Sequence, residues 1–93
     1  MKRLNFSLPL NNEVGSVRCS DGRWGPMAQG AHDEVVVPIS CTPGHYPDTV
    51  WHTHPHGEPK PSSADIENAR SAGIKRVCVT VPQTGESSCV NVL

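Results

Sequence analysis

Eight glycines and nine prolines punctuate a chain of 93 residues, and they fall between short apolar runs. Proline removes a backbone donor and glycine favours turns, so helices and strands here must be short and the turns many. A domain of this length buries only roughly 60–65% of the surface that its unfolded chain exposes. Apolar residues make up 35% of the sequence, and the aromatics are Phe6, Trp24, Tyr46 and Trp51 alone. Such a core is thin, and a bound metal or a disulfide would add noticeably to its stability. Residues 1–93 are read as one domain.

The order of elements follows from the apolar pattern between those breaks. Residues 3–10 suit an edge strand limited by Pro9, since proline cannot donate to a ladder. EVGSVRC at 13–19 and EVVVPISC at 34–41 both have strand character, and turns at Ser20-Asp21-Gly22 and Cys41-Thr42-Pro43-Gly44 follow them. A further strand is expected over 48–54, running into a Pro- and Gly-rich loop at 55–61. One helix is well marked. Ser62 or Ser63 can cap it, Asp65 and Glu67 suit the positive end of its dipole, and Ile66, Ala69 and Ala72 recur at helical spacing. Gly73 stops it. IKRVCVTV at 74–81 and SCVNVL at 88–93 then alternate as strands around Pro82-Gln83-Thr84-Gly85. Strands, a helix and a hairpin predict an α+β fold: a small mixed sheet with one main helix packed on it.

A net charge of −1 with no run of Lys or Arg argues against electrostatic nucleic-acid binding. Met1-Lys2-Arg3 resembles the charged start of a secretory signal, but Leu4 to Leu10 is too broken by polar residues and Pro9 to be its apolar core. No stretch approaches the ~18 apolar residues of a membrane span. A cytoplasmic protein is expected. Cysteines at 19, 41, 78 and 89 lack the Cys-x-x-Cys spacing of a zinc finger, and in the cytosol reduced, buried thiols are the expectation. Cys78 and Cys89 would meet across the last hairpin if its turn centres near Thr84, which leaves a disulfide there open.

Chemistry concentrates in WHTHPHGEPKPSSAD, residues 51–65. His52 and His54 share one face of a strand, because alternate side chains do. The loop then returns the chain so that Asp65, in the first helical turn, points its carboxylate at both imidazoles. Two histidines and a carboxylate make an open-sided zinc site whose fourth position takes water. Zinc lowers the pKa of such a water to about 7. The plainer alternative is a surface His pair beside a Ser-x-x-Asp helix cap, which would need the loop to join them by chance.

His-x-His-x7-Ser-x-x-Asp, matched without a gap by His52, His54, Ser62 and Asp65, resembles the signature of the JAMM (MPN-plus, or prokaryotic JAB) metallopeptidases. The wording HPHGEPKPSSADI is also similar to RadC-type proteins. The resemblance implies a minimal core of the JAMM and cytidine-deaminase-like kind, with zinc held by His52, His54 and Asp65. It implies that Ser62 hydrogen-bonds the tetrahedral intermediate and that an upstream Glu serves as general base. Glu13, in Glu13-Val14-Gly15, fits the setting of that Glu and is favoured. Glu34, opening EVVVP, is the competitor. Members of this family cut isopeptide bonds to ubiquitin-like proteins or trim small carrier proteins, so a protein or peptide substrate is expected. Only twelve residues precede Glu13, too few for the helix usual there, and long insertions that clamp a ubiquitin tail are absent. Both features argue against efficient ubiquitin recognition.

Other candidates are set aside. His56 is read as a solvent-exposed loop residue rather than a third imidazole ligand, and His32 and His45 as turn residues. Trp51 is read as a packing residue, and Trp24 as partly exposed. The leading expectation is therefore a zinc peptidase or isopeptidase. Two alternatives stand beside it: a RadC-like accessory protein acting around DNA, marked by salt-dependent DNA binding, and a zinc-stabilised interaction domain without turnover, marked by loss of the catalytic Glu.

Overall fold

A computed structural model of the chain describes residues 12–31 and 35–92. The strand expected over 3–10, His32 and the competing Glu34 lie outside the described residues. Within them the elements are β1 (Val14–Cys19), β2 (Ala28–Gln29), β3 (Pro47–Thr53), α1 (Ser63–Ser71), β4 (Arg76–Thr80) and β5 (Ser87–Asn91). The five strands form one mixed sheet in the order β2-β1-β3-β4-β5. β1 pairs antiparallel with both β2 and β3, and β4 with β5, whereas β3 and β4 run parallel. A parallel pair needs a crossover, and α1 supplies it. The α+β fold read from the sequence is thus the fold observed.

Alternation sorts the sheet into two faces. Val17, Val50, Val77 and Val90 lie in register across β1, β3, β4 and β5 on one of them. Ala69 of α1 packs there with Ile74, Val77 and Val92, and Ile66, Val50 and Val90 close around this cluster. The largest fully buried side chains are only Val17, Val77, Val79 and Thr53, so the core is indeed thin. The opposite face carries Ser16, Trp51 and Cys78. Trp51 is half-buried there, outside the core cluster, and its indole N–H donates to Thr80 Oγ1 at 2.9 Å, while Trp24 is 52% exposed.

Two sequence expectations are corrected. EVVVPISC makes no strand in its described part, residues 35–41, for Pro38 lacks a donor and no strand among the described residues pairs with the segment. The thiols are not reduced either. Cys19 is bonded to Cys41, and Cys78 to Cys89 directly across the β4–β5 ladder. Closing loops of this length stabilises a fold by about 3 kcal/mol each in the chain-entropy account, a large share for so small a core. Among the described residues, no helix is long and apolar enough to cross a membrane.

Candidate metal centre

β3 places His52 and His54 on the α1 side of the sheet, two residues apart and in line with Val50. His52 sits mid-sheet, opposite Gly15 of β1 and Val79 of β4, and is buried. His54 lies just past the strand, yet its N–H still bonds Thr80 O at 2.9 Å, which continues the ladder and fixes its direction. The two imidazole centroids are 4.9 Å apart.

The third group arrives through the helix cap. Ser62 is the N-cap: its Oγ accepts the Asp65 N–H at 3.2 Å, and its own N–H donates to Asp65 Oδ2 at 2.8 Å. This reciprocal pair is a capping box with Asp in place of the usual Glu. It holds the Asp65 side chain back over the first turn, towards β3. Asp65 Oδ1 then stands 3.3 Å from His52 Nε2, and Oδ2 stands 3.0 Å from His54 Nε2. One ligand atom from each of the three residues lies within 4.8 Å of the others. Two imidazole nitrogens and one carboxylate are a donor set that suits zinc, and the three residues can hold a metal ion.

The far sides of both imidazoles are also constrained. His54 Nδ1 is 3.1 Å from the Glu58 carbonyl, which can only accept, so this nitrogen carries the proton and Nε2 is left to bind a cation. His52 Nδ1 is buried and makes no hydrogen bond; Glu13 Oε1 stands 3.4 Å away. Glu13 is itself buried and lines the same cleft as His52, His54, Ser62 and Asp65. Burial disfavours the charged form of His52, but hydrogen bonding to Asp65 and the charges of Asp65 and Glu13 outweigh it, and the pKa rises above the usual value. Burial likewise opposes the Asp65 charge. The hydrogen bonds from His52 and from Ser62, with the His52 charge, overcome it and hold the carboxyl far below the carboxylate range.

Sequence reasoning brought His52, His54, Ser62 and Asp65 to one place. It did not identify the parts that hold the loop between them. His56 is exposed, as expected, but it adopts a left-handed conformation (φ 56°), which a non-glycine residue rarely does. Its N–H donates to Gln83 Oε1 at 2.9 Å, and Ser88 Oγ donates to the Pro59 carbonyl. The β4–β5 hairpin thus braces the metal-facing loop from below. No local sequence signal marks Gln83, Ser88 or the Glu58 carbonyl, because each contact spans the fold or uses backbone. Gly15 was visible only as part of the Glu-x-Gly setting. A Cβ there would meet Val37 Cγ2 at 2.7 Å, the Trp51 carbonyl at 2.9 Å and His52 Cβ at 3.2 Å, so only glycine lets β1 approach His52.

A mixed sheet crossed by one helix, with a His-His-Asp cluster at the helix N-terminus, defines a small α+β protein equipped for a metal ion. Residues 26–92 match the model of the prokaryotic homologs of the JAB domain, and the chain belongs to that family. The matched span includes His52, His54, Ser62 and Asp65, and Glu13 precedes it. No curated protein and no solved structure matches the chain.

Proposed function

We propose that this protein is a zinc-dependent peptidase or isopeptidase that hydrolyses an amide bond in a protein or peptide, with ubiquitin-like or small carrier proteins as the model substrates. The observation that carries this reading is the convergence of two imidazole Nε2 atoms on the two oxygens of one carboxylate, in a cleft that also holds a buried Glu13. His52, His54 and Asp65 would hold the ion. When bound, zinc polarises a carbonyl and lowers the pKa of water, which is the chemistry amide hydrolysis requires.

The chain's own groups divide the remaining work. Glu13 takes a proton from the attacking water on its carboxylate and returns it to the leaving amine. Its second task is electrostatic: its carboxylate beside Nδ1 keeps His52 oriented, as outer-shell carboxylates do. Ser62 Oγ accepts the Asp65 N–H, and its hydroxyl hydrogen remains available to the oxyanion of the tetrahedral intermediate. Cap and oxyanion donor are therefore compatible in one side chain. The two disulfides count against the cytoplasm expected from the sequence and favour an oxidising working compartment.

The test is cleavage of a panel of carrier-protein fusions by the zinc-loaded chain, with chelator and Glu13→Gln as controls. Cleavage should stop with chelator, and should fall by about 100-fold or more in Glu13→Gln while one zinc per chain is retained. Zinc uptake without cleavage of any fusion would leave a zinc-stabilised interaction domain and overturn the enzymatic reading.

A further inference from the structure

The cleft that includes His52, His54 and Asp65 is about 770 Å³ in volume, and most of its other lining residues are apolar. With the buried core residues Val17, Ala69 and Ile74 behind them, the half-buried Val50 lies on the sheet side and the exposed Ala72 on the helical side. The other side is the segment that failed to become a strand. Val35, Val37 and Ile39 all line the cleft, whereas Val36 between them is 87% exposed. The segment therefore keeps strand-like alternation with no ladder partner among the described residues. Among the described residues, Val37 packs over Gly15 and Cys41 is bonded to Cys19 at the end of β1.

We propose that residues 35–41 are a substrate-selecting wall, that the cleft takes large aliphatic side chains of an extended polypeptide next to the bond to be cut, and that the Cys19–Cys41 disulfide holds this wall in place. The proposal rests on the peptidase reading and names its substrate class. Two observations choose the occupant. The cleft is continuous with the metal-binding residues, so a chain presenting its carbonyl there must lie along it. Apart from the metal-facing His52, His54, Asp65 and Glu13, the lining contains no charged side chain, so a charged residue would be desolvated without a partner. An aliphatic one would bury its surface against valine, isoleucine and alanine. The site discriminates by what it fails to pair as much as by what it fits.

The experiment uses the zinc-loaded full chain and two fluorescent peptides that differ only in having Leu or Asp beside the cleavable bond. Binding is read by anisotropy and turnover by fluorescence release. The Leu peptide should bind and react at least about tenfold better, the scale of an apolar-pocket preference. Ile39→Asp, at a half-exposed position that the fold tolerates, should abolish that preference with zinc content unchanged. The double variant Cys19→Ala with Cys41→Ala is assayed below its lowered Tm, with zinc content and circular dichroism shown to match the wild type. It should raise KM for the Leu peptide about tenfold with little change in kcat, because the wall and not the metal centre has been loosened. Equal binding of the two peptides, or a preference that survives Ile39→Asp, overturns the substrate class. An unchanged KM in the cysteine variant overturns the tether. Selective binding of the Leu peptide without turnover keeps the cleft assignment and removes the hydrolase reading on which it was built.

Discussion

Replacing Gly15 by Ala adds a single methyl at the tightest crossing of the fold. Its Cβ would stand 2.7 Å from Val37 Cγ2, 2.9 Å from the Trp51 carbonyl and 3.2 Å from His52 Cβ. Val37 is on an unpaired segment and can yield. The Trp51 carbonyl cannot yield cheaply, because it belongs to β3, where β1 and β4 pair on either side. Overpacking of this kind costs about 1–3 kcal/mol. Alanine recovers some 0.4–1 kcal/mol by restricting the unfolded chain. The strain wins, and the net loss should be roughly 1–2 kcal/mol, or a Tm lower by about 5–15 °C for a domain this small. His52 must shift with β3, so zinc affinity should also fall, by about tenfold if it behaves like a loss of ligand support. Gly25→Ala is the control, since a Cβ there meets only the Val17 carbonyl, at 3.4 Å. Urea unfolding of both variants and chelator competition for zinc supply the readouts. A Gly15→Ala protein with the wild-type midpoint and zinc affinity would refute the close-approach argument.

Three further outcomes are expected. The double change His52→Ala with His54→Ala should remove zinc entirely by metal analysis, and one tightly held zinc per chain surviving it would show the ligand assignment to be wrong. Ser62→Ala should lower stability by about 1 kcal/mol through loss of the cap and slow turnover about 100-fold through loss of the oxyanion donor, whereas Ser63→Ala should do neither. Normal turnover in a less stable Ser62→Ala protein would leave Ser62 as a cap alone. Asp48 accepts two hydrogen bonds from Arg18, each 3.2 Å, and its pKa is lowered chiefly by that contact. The sign follows: a depressed folded-state pKa stabilises the fold above the unfolded value of about 3.9 and is lost as pH falls through the folded one. The wild type should therefore exceed Asp48→Asn in stability at neutral pH and lose that margin in acid; a margin that persists unchanged in acid would assign it to something other than the ion pair.

The His-His-Asp cluster was legible in the sequence because its geometry is local. Period-two alternation puts His52 and His54 on one face, and a Ser-x-x-Asp cap fixes where Asp65 points. Four of the strands and the helix were legible for the same reason, since each is set by its own apolar pattern and turns. What failed depends on distant partners. EVVVPISC has the composition of a strand, but strand formation needs a neighbour, and among the described residues no strand pairs with residues 35–41. Cys19–Cys41 joins a strand to that irregular segment, a pairing that no spacing rule provides. Cys78–Cys89 depended on hairpin register, which leaves no trace in composition. The two-residue β2 is too short to produce a pattern at all.

The three side chains that could hold a metal ion come from one continuous stretch, the end of β3 to the first turn of α1, whereas Glu13 stands beside them from the residue before β1. Capture of an ion and transfer of a proton therefore have different assembly requirements. On the proposed reading the crossover unit could trap zinc before β1 has docked, and the ion would then act as a template on which the rest of the sheet completes itself. Refolding followed by pulsed hydrogen exchange should show zinc uptake preceding protection of the β1 amides; simultaneous protection would argue against that order. The same separation holds over evolutionary change. If the proposed activity holds, a change confined to the first strand could abolish proton transfer and leave the His-His-Asp cluster intact.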